Sequence, residues 1–326
     1  MSEAPRILLG ASSFTAPGWE RAFYPPRMHP RDYLSYYACH YLTLEIDATF
    51  YRCPSPATVN GWHAKTPPGF VFAVKVPQSI THDKVLVGCE AELDEFLGVL
   101  SLLGEKLGPI VFQFPYFNQT AFASPGEFVA RVRAMLARLP RDRKFALELR
   151  NKYWLTPQFA DLLREYNVAL VLQDQSWMPG YAELEKKFDP ITADWTYVRW
   201  LGDRKGIETI TKTFEREVVD RTAEMQTWVD VCYRVQNRGT TIFAYANNHY
   251  SGFAPATLAQ FLGLWKQREL PPISMPNAPP LREYVPGTDP APAYPATGSP
   301  SATLRRTKSG AGSRSKPPST NRTLFD

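Results

Sequence analysis

The stretch LTLEIDATFY, residues 42–51, has the pattern of a buried β-strand that also carries acidic side chains. Side chains alternate between the two faces of a strand, so one face holds Leu42, Leu44 and Ile46 and the other holds Thr43, Glu45 and Asp47. An unpartnered carboxylate on a buried face costs on the order of several kcal/mol. The remaining strands are therefore expected to supply partners for these acids.

Similar strand patterns alternate with helical patterns as far as about residue 270. The strand candidates are 7–11, 42–47, 70–76, 110–114, 145–149, 169–173, 197–201 and 241–246, and the main helical candidates are 90–103, 126–139, 157–166, 215–236 and 255–268. Eight strands, each followed by a helix, predict a single (β/α)8 TIM-type barrel. An open doubly wound sheet is the alternative, although no glycine-rich phosphate loop follows the first strand.

The composition changes after residue 270. The chain as a whole is 44% hydrophobic and 21% charged, as in ordinary globular proteins. Residues 271–326 hold twelve of the 30 prolines and four of the five net positive charges. This composition predicts a barrel domain over residues 1–270 and a disordered Pro/Ser/Arg-rich C-terminal tail over residues 271–326.

Three absences in the sequence bear on location. There is no apolar run of about 18 residues and no signal peptide, so a membrane is not an expected partner. The four cysteines are scattered without a CxxC pair, which argues against disulfides and a thiolate metal site. These features predict a cytoplasmic protein.

Polar side chains follow the strands at their C-terminal ends, where barrel enzymes gather reactive groups. The predicted catalytic residues are Glu45, Lys75, His82 and Glu148. The predicted substrate-binding residues are Tyr51, Gln113, Arg150, Trp154, Arg199, Asn247, Asn248 and His249.

Each of these side-chain types suits a particular role. The cations Lys75, Arg150 and Arg199 could clamp a phosphate or carboxylate. Two carboxylates, Glu45 and Glu148, could divide into general acid and base if their surroundings separate their pKa values. The histidines His82 and His249 are candidate proton carriers. Aromatic residues expected at the rim, which could stack on a base or a sugar, are Trp19, Tyr51, Trp154 and Tyr250.

Structural alternatives stay open for the same residues. Glu45 with Lys75, and Glu148 with Arg150, could be buried ion pairs without catalysis. No cofactor is identified and no metal ligands are assigned, because the chain lacks HxH and HExxH motifs. Acids dispersed over several strands leave a divalent metal open.

Five blocks of the chain resemble the domain of unknown function 72 family, also called YecE-like. They are GASSFTAPGWERAFYP, YLTLEIDATFYRCPSPATVNGWHAKTPPGFVFAVKVPQSITH, GEKLGPIVFQFP, FALELRNKYW and IFAYANNHYSGFAPATL, in order between residues 6 and 268. The resemblance implies a TIM-type barrel and no particular activity. It marks Glu45, Thr49, Phe50, Tyr51, Lys75, His82, Gln113, Glu148, Arg150, Trp154, Arg199, Asn247, Asn248 and Gly252. Many members have Asn at Asp47 and a Leu-His-Gly run where this chain has Trp200-Leu201-Gly202.

The leading functional hypothesis is an enzyme, hydrolase-like toward phosphodiesters, that acts on a phosphate-bearing or nucleic-acid-related substrate. The alternatives are a carbohydrate-active hydrolase using Glu45 and Glu148, and a non-catalytic module attached to a DNA clamp. The last idea rests on Asn321–Phe325, which resembles the Gln-x-x-Leu-Phe peptide that docks bacterial sliding clamps.

Overall fold

A computed structural model, which describes residues 6–122 and 124–276, contains eight parallel strands. They are β1 (Ile7–Ala11), β2 (Thr43–Ile46), β3 (Val71–Lys75), β4 (Leu107–Gln113), β5 (Phe145–Glu148), β6 (Ala169–Gln175), β7 (Trp195–Gly202) and β8 (Thr241–Ala246). Their order is β1-β8-β7-β6-β5-β4-β3-β2, which curls the sheet into a nearly closed barrel. The barrel prediction is confirmed and the doubly wound alternative is wrong.

Helices surround this barrel. The α-helices are α1 (Trp19–Ala22), α2 (Tyr33–His40), α3 (Pro56–Ala64), α4 (Glu90–Leu100), α5 (Pro125–Arg138), α6 (Pro157–Glu165), α7 (Tyr181–Glu185), α8 (Arg204–Ile210), α9 (Thr222–Asn237), α10 (Asn248–Ser251) and α11 (Ala254–Gln267). Shorter 3₁₀ or π turns are Pro30–Asp32, Asp47–Phe50, Ser79–Asp83, Ser101–Lys106 and Lys152–Trp154.

The helix predicted over 215–236 begins seven residues late, at Thr222. The N-cap residue is Arg221, and the side chain of Asp220 before it accepts from the Thr222 N–H, the first amide of the helix, at 2.9 Å. The preceding segment is not helical because the N–H groups of Val218 and Val219 donate to the Ser251 carbonyl instead. Tertiary hydrogen bonds thus override a helical pattern that continues upstream.

Strand alternation divides the apolar side chains into two layers. Leu44 and Ile46 belong to the outer core, which packs between the strands and the helices. The barrel interior is filled by Leu8, Ala73, Val111, Ala146, Ala169, Val171, Trp195, Tyr197, Phe243 and Tyr245. Large aromatic side chains from β7 and β8 face small side chains from β3 and β5, so the interior is a packed core as in other barrels of this type.

The seam between β1 and β2 is closed by a side chain rather than by a strand ladder. Within the described residues, the hydroxyl of Tyr37 accepts from the Ala11 N–H at 2.7 Å and donates to the Thr43 carbonyl at 3.1 Å. A Cβ added to Gly10 would lie 2.2 Å from the Thr43 carbonyl oxygen. The lack of a side chain at residue 10 therefore lets the two strands approach.

Several sequence predictions concern residues that the structure does not describe. Residues 277–326, which hold most of the predicted tail and all of Asn321–Phe325, lie outside the described residues. Among the described residues, no helix combines the length and the apolar character needed to cross a bilayer.

Candidate functional site

Arg199, near the C-terminal end of β7, is the centre of a buried group of charges. Its two terminal nitrogens donate to Glu45 Oε1 and Glu148 Oε2, each at 2.7 Å. The Tyr197 hydroxyl, on the same face of β7, donates to Glu45 Oε2 at 2.5 Å. The three charged side chains are at most 3% exposed. One guanidinium therefore holds carboxylates from β2 and β5 together inside the barrel.

Asp47 and Lys75 form the more accessible edge of this group. Asp47 lies in the turn after β2, and its Oδ1 is 3.7 Å from Lys75 Nζ and 3.4 Å from Arg199 Nη2. Its side chain is 35% exposed. The Lys75 ammonium lies 4.0 Å from the centroid of the Phe50 ring. Among the described residues it forms no hydrogen bond, although an ammonium has three donors.

Arg150 extends the group toward β6. It forms a close ion pair with Glu148 Oε1, without the geometry of a hydrogen bond, and donates to Gln175 Oε1. Its Nε is buried and unpartnered within the described part of the chain, as is Oε1 of Gln173. Both atoms are shielded from solvent, so their hydrogen-bonding capacity is unused within residues 6–122 and 124–276.

The pairing of charges differs from the ion pairs considered from the sequence. Glu148 does pair with Arg150, but Glu45 pairs with Arg199 rather than with Lys75. Lys75 pairs with Asp47 instead. The face of each residue was predictable from alternation, whereas the reach of Arg199 across the barrel was not.

The surroundings separate the pKa values of the two buried glutamates. Burial raises the pKa of Glu45, an effect that Arg199 opposes and Asp47 reinforces. Burial also acts to raise the pKa of Glu148, but Arg150 and Arg199 outweigh it and lower that pKa to about 2. Glu148 is therefore a firmly ionised anchor for two arginines.

His82 lies beside the Lys75 edge, on the turn that follows β3. Its ring packs edge-on against Phe50, with centroids 4.9 Å apart, and its Nδ1 is 2.9 Å from the Thr81 hydroxyl. Burial, together with the charge of Lys75, lowers the pKa of His82 to about 4. The imidazole is therefore neutral at neutral pH.

Glu45, Lys75, His82, Glu148, Arg150 and Arg199 thus belong to one connected set of contacts. The other predicted residues have separate contacts. Gln113 donates to its neighbour's carbonyl, that of Phe114, at 2.7 Å. Trp154 stacks on Phe117, and Tyr51 is 52% exposed on the loop after β2.

Three predicted residues after β8 hold the loops of that side together. Asn247 Oδ1 accepts from the His249 N–H at 2.9 Å, and Asn248 Oδ1 accepts from Trp19 Nε1 at 3.1 Å. His249 Nε2 is 3.3 Å from Glu208 Oε1, and burial lowers the pKa of this imidazole. Gly252, at φ 114°, sits where a Cβ would meet the Arg216 carbonyl oxygen at 2.7 Å.

The expectation that Trp19 and Tyr250 line the rim is wrong. Trp19 is 1% exposed and Tyr250 is fully buried, because they bond to Asn248 and Asp174. Sequence reasoning left Tyr197 and Asp47 out of the site. Alternation signalled both, since Tyr197 shares a face with Arg199 and Asp47 shares one with Glu45.

A metal site was left open by the sequence. Across residues 6–122 and 124–276, no three His, Cys, Asp or Glu side chains form a group that could hold a metal ion. Binding of a divalent metal, which the sequence left open, is not tested by this finding.

Comparisons with known proteins agree with the fold. A model of the family described as "Protein of unknown function DUF72" matches residues 8–281. The crystal structure of a DUF72 family protein from Thermotoga maritima has a TM-score of 0.64 at 24% identity, covering 80% of this chain and 99% of that one. One from Enterococcus faecalis has a TM-score of 0.62 at 21% identity, covering 85% of this chain and 100% of that one.

Two curated relatives match part of the chain. The UPF0759 protein YunF of Bacillus subtilis is 31% identical over 150 residues, which are 44% of this chain and 51% of YunF. The UPF0759 protein YecE of Escherichia coli is 29% identical over 153 residues, which are 47% of this chain and 50% of YecE. The chain thus spans about half the length of the curated relatives that it matches.

Proposed function

The chain belongs to the DUF72 family, and from its site we propose that it is a phosphodiesterase-like hydrolase of a nucleic-acid-related substrate. The reaction takes place at the mouth formed by the C-terminal ends of the strands. The observation that carries the proposal is the Lys75 ammonium, which is buried at this mouth with its three N–H donors unbonded among the described residues. Phosphate oxygens are suitable acceptors for such a group.

Lys75 and Arg150 bind the phosphate. Both cations contact the buried charge group, and both keep an exposed part of the side chain, 10% for Lys75 and 16% for Arg150. Arg199 is assigned a positioning role, because its side chain is only 3% exposed and both of its terminal nitrogens are bonded to glutamates. Glu45 and Glu148 act as positioning residues that fix Arg199 and Arg150.

His82 is the proton acceptor. In the hydrolysis, a water oxygen bonds to phosphorus, one ester P–O bond breaks, and the attacking water gives its proton to the neutral imidazole. The leaving alkoxide takes a proton from solvent at the mouth. Because the pKa of His82 is about 4, activity limited by this base should be constant near neutrality and fall on acidification through about pH 4.

The site favours phosphate chemistry over glycoside hydrolysis by Glu45 and Glu148. A glycosidase needs the scissile bond between its two carboxyl groups. Here the guanidinium of Arg199 lies between them, bonded to both at 2.7 Å. A sugar could enter that space only by displacing a buried cation.

The proposal is tested by turnover of purified protein on a panel of phosphodiesters and phosphomonoesters. Wild type should turn over at least one substrate, in assays run with EDTA, Mg²⁺ or Mn²⁺. Lys75→Met should lose most activity, on the order of 100-fold, because a phosphate contact is lost. Glu148→Gln should also be impaired, since Arg150 loses its anchor.

The matched control is Lys84→Met, since Lys84 follows the turn after β3, nine residues beyond Lys75, and pairs with Glu92 at 3.1 Å. It should retain wild-type rates. No wild-type turnover under any condition, or equal losses in the two lysine variants, would contradict the proposed function.

A further inference from the structure

We infer that the loops after β4, β5 and β6 form a stacking surface for the unpaired bases of single-stranded nucleic acid. This inference rests on the proposed function and specifies the substrate class. The surface, called here the aromatic rim, consists of Tyr116, Tyr153 and Trp177, one residue from each loop. These side chains are 70%, 83% and 50% exposed.

The three loops are neighbours around the barrel mouth. Strands β4, β5 and β6 are consecutive in the sheet, so the segments that leave their C-terminal ends lie side by side. The three exposed rings thus stand on adjacent loops at one end of the barrel, although no two of them are in ring contact among the described residues. Tyr51, on the loop after β2, adds a further exposed ring at the same end.

Side-chain hydrogen bonds fix these loops to one another. The Asn151 amide donates to the Phe117 carbonyl at 2.8 Å and accepts from the Phe117 N–H at 2.9 Å, which joins the β4 and β5 loops. The rings of Phe117 and Trp154 stack beneath this link at 5.8 Å and 15°. Tyr116 and Tyr153 are chain neighbours of these residues, so the backbone beneath each exposed ring is tied to the other loop.

A second link joins the rim to the catalytic site. Arg150 donates to Gln175 of β6, two residues before Trp177, and also pairs with Glu148. The aromatic rim is thus attached to the cation that we assign to phosphate binding. A chain with a phosphate at Arg150 could place adjacent bases on the rim.

The charges of the loops favour nucleic acid over a neutral glycan or an acidic surface. The described residues of the segments 114–124, 149–156 and 176–180 include two cations, Arg150 and Lys152, and no acid. The Lys152 ammonium lies 5.2 Å from the centroid of the Tyr153 ring. Aromatic rings interleaved with cations are the features by which proteins bind single strands without sequence preference.

The test is binding of a fluorescein-labelled single-stranded DNA of about twelve nucleotides to the full chain, followed by anisotropy in EDTA. Tyr116→Ala, Tyr153→Ala and Trp177→Ala should each weaken binding by roughly 5- to 150-fold, as expected for the loss of one stacked base. Tyr116→Phe and Tyr153→Phe keep the ring and should bind like wild type.

Leu102→Ala is the surface control, because Leu102 is 42% exposed but precedes β4 at the opposite end of the barrel. It should bind like wild type, and a duplex of the same sequence should bind more weakly than the single strand. The inference is overturned if the three alanine variants bind as wild type does, if Leu102→Ala loses as much, or if a neutral oligosaccharide displaces the DNA.

The two proposals fail separately. Hydrolysis of a small phosphodiester with no DNA binding at the rim would remove the stacking surface and leave the hydrolase. Rim-dependent DNA binding without turnover of any ester would remove the hydrolase and leave a single-strand binding surface.

Discussion

Arg199 is the side chain on which two buried carboxylates depend. Arg199→Met should lower the free energy of unfolding by about 3–5 kcal/mol, because Glu45 and Glu148 would be left in the barrel without their shared partner. Urea denaturation measures this. Arg138→Met is the control, since its ion pairs with Glu90 and Asp94 are at the surface and 3.9 Å long. A loss no larger than that of the control would show that the charge group does not stabilise the fold.

His40 should make the fold sensitive to mild acid. Its ring is buried among Phe23, Tyr36 and Tyr41, and burial lowers its pKa from 6.5 to about 4. The unfolded chain therefore takes up a proton first, so stability is lost as pH falls from about 6.5 toward 4, on the order of 2 kcal/mol.

His40→Phe should reduce the stability loss between about pH 6.5 and 4, measured by denaturation at several pH values, whereas the part due to His82, whose pKa is also lowered to about 4, should remain. His29→Gln, at an exposed imidazole, should leave the profile unchanged. An unaltered profile in His40→Phe would show that other groups cause the acid sensitivity.

At the residue scale, the sequence predicted which face each charged side chain occupies. Glu45, Lys75 and Glu148 were placed correctly because alternation with period 2 leaves little freedom within a short strand. Their partners were not predictable, because alternation does not tell how far a long side chain such as Arg199 reaches. The burial of Trp19 was also not predicted. Its indole N–H donates to Asn248, which lies 229 positions away in the chain, and the sequence pattern gives no sign of that contact.

At the scale of elements, the approach of β1 to β2 depends on Gly10. Gly10→Ala should destabilise the protein by about 3 kcal/mol, because the new Cβ would overlap the Thr43 carbonyl and force the strands apart. Gly61→Ala, within α3 and with nothing within 4 Å of the added Cβ, should instead stabilise by about 1 kcal/mol. Thermal unfolding of both variants checks the pair, and equal effects would contradict the close approach.

Strand positions were predictable to within a few residues, since the apolar runs are long and bounded by polar loops. The start of α9 was not, because Val218 and Val219 bond to Ser251 rather than to their own turn. The aromatic rim could not be predicted from the sequence either, because an exposed tyrosine in a loop belongs to no periodic pattern of apolar residues.

At the scale of the whole molecule, the barrel followed from the number of alternating elements, and the matching family model agrees. We propose in addition that the segment Asn321–Phe325 attaches the chain to a bacterial sliding clamp. Replacing Leu324 and Phe325 by Ala should weaken binding to a purified clamp by roughly 30-fold or more, because both side chains would fill its apolar pocket. Surface plasmon resonance measures the affinity.

Arg314→Ala is the matched control for this contact, because it removes a charge seven residues before Asn321 without touching the apolar pair. It should bind the clamp nearly as tightly as wild type. Equal affinities of wild type and the Leu324 and Phe325 double variant would end the clamp hypothesis without affecting the barrel.

Hydrogen exchange of the Ala11 amide should report local opening of the barrel, because this amide is bonded to the Tyr37 hydroxyl. The Ala11 amide proton is held by this hydroxyl, whereas its neighbours along the barrel are held in strand ladders. Rotation of one tyrosine ring would expose that amide without separating any pair of strands. In deuterium exchange, Ala11 should therefore exchange faster than the ladder amides, and Tyr37→Phe should accelerate it selectively.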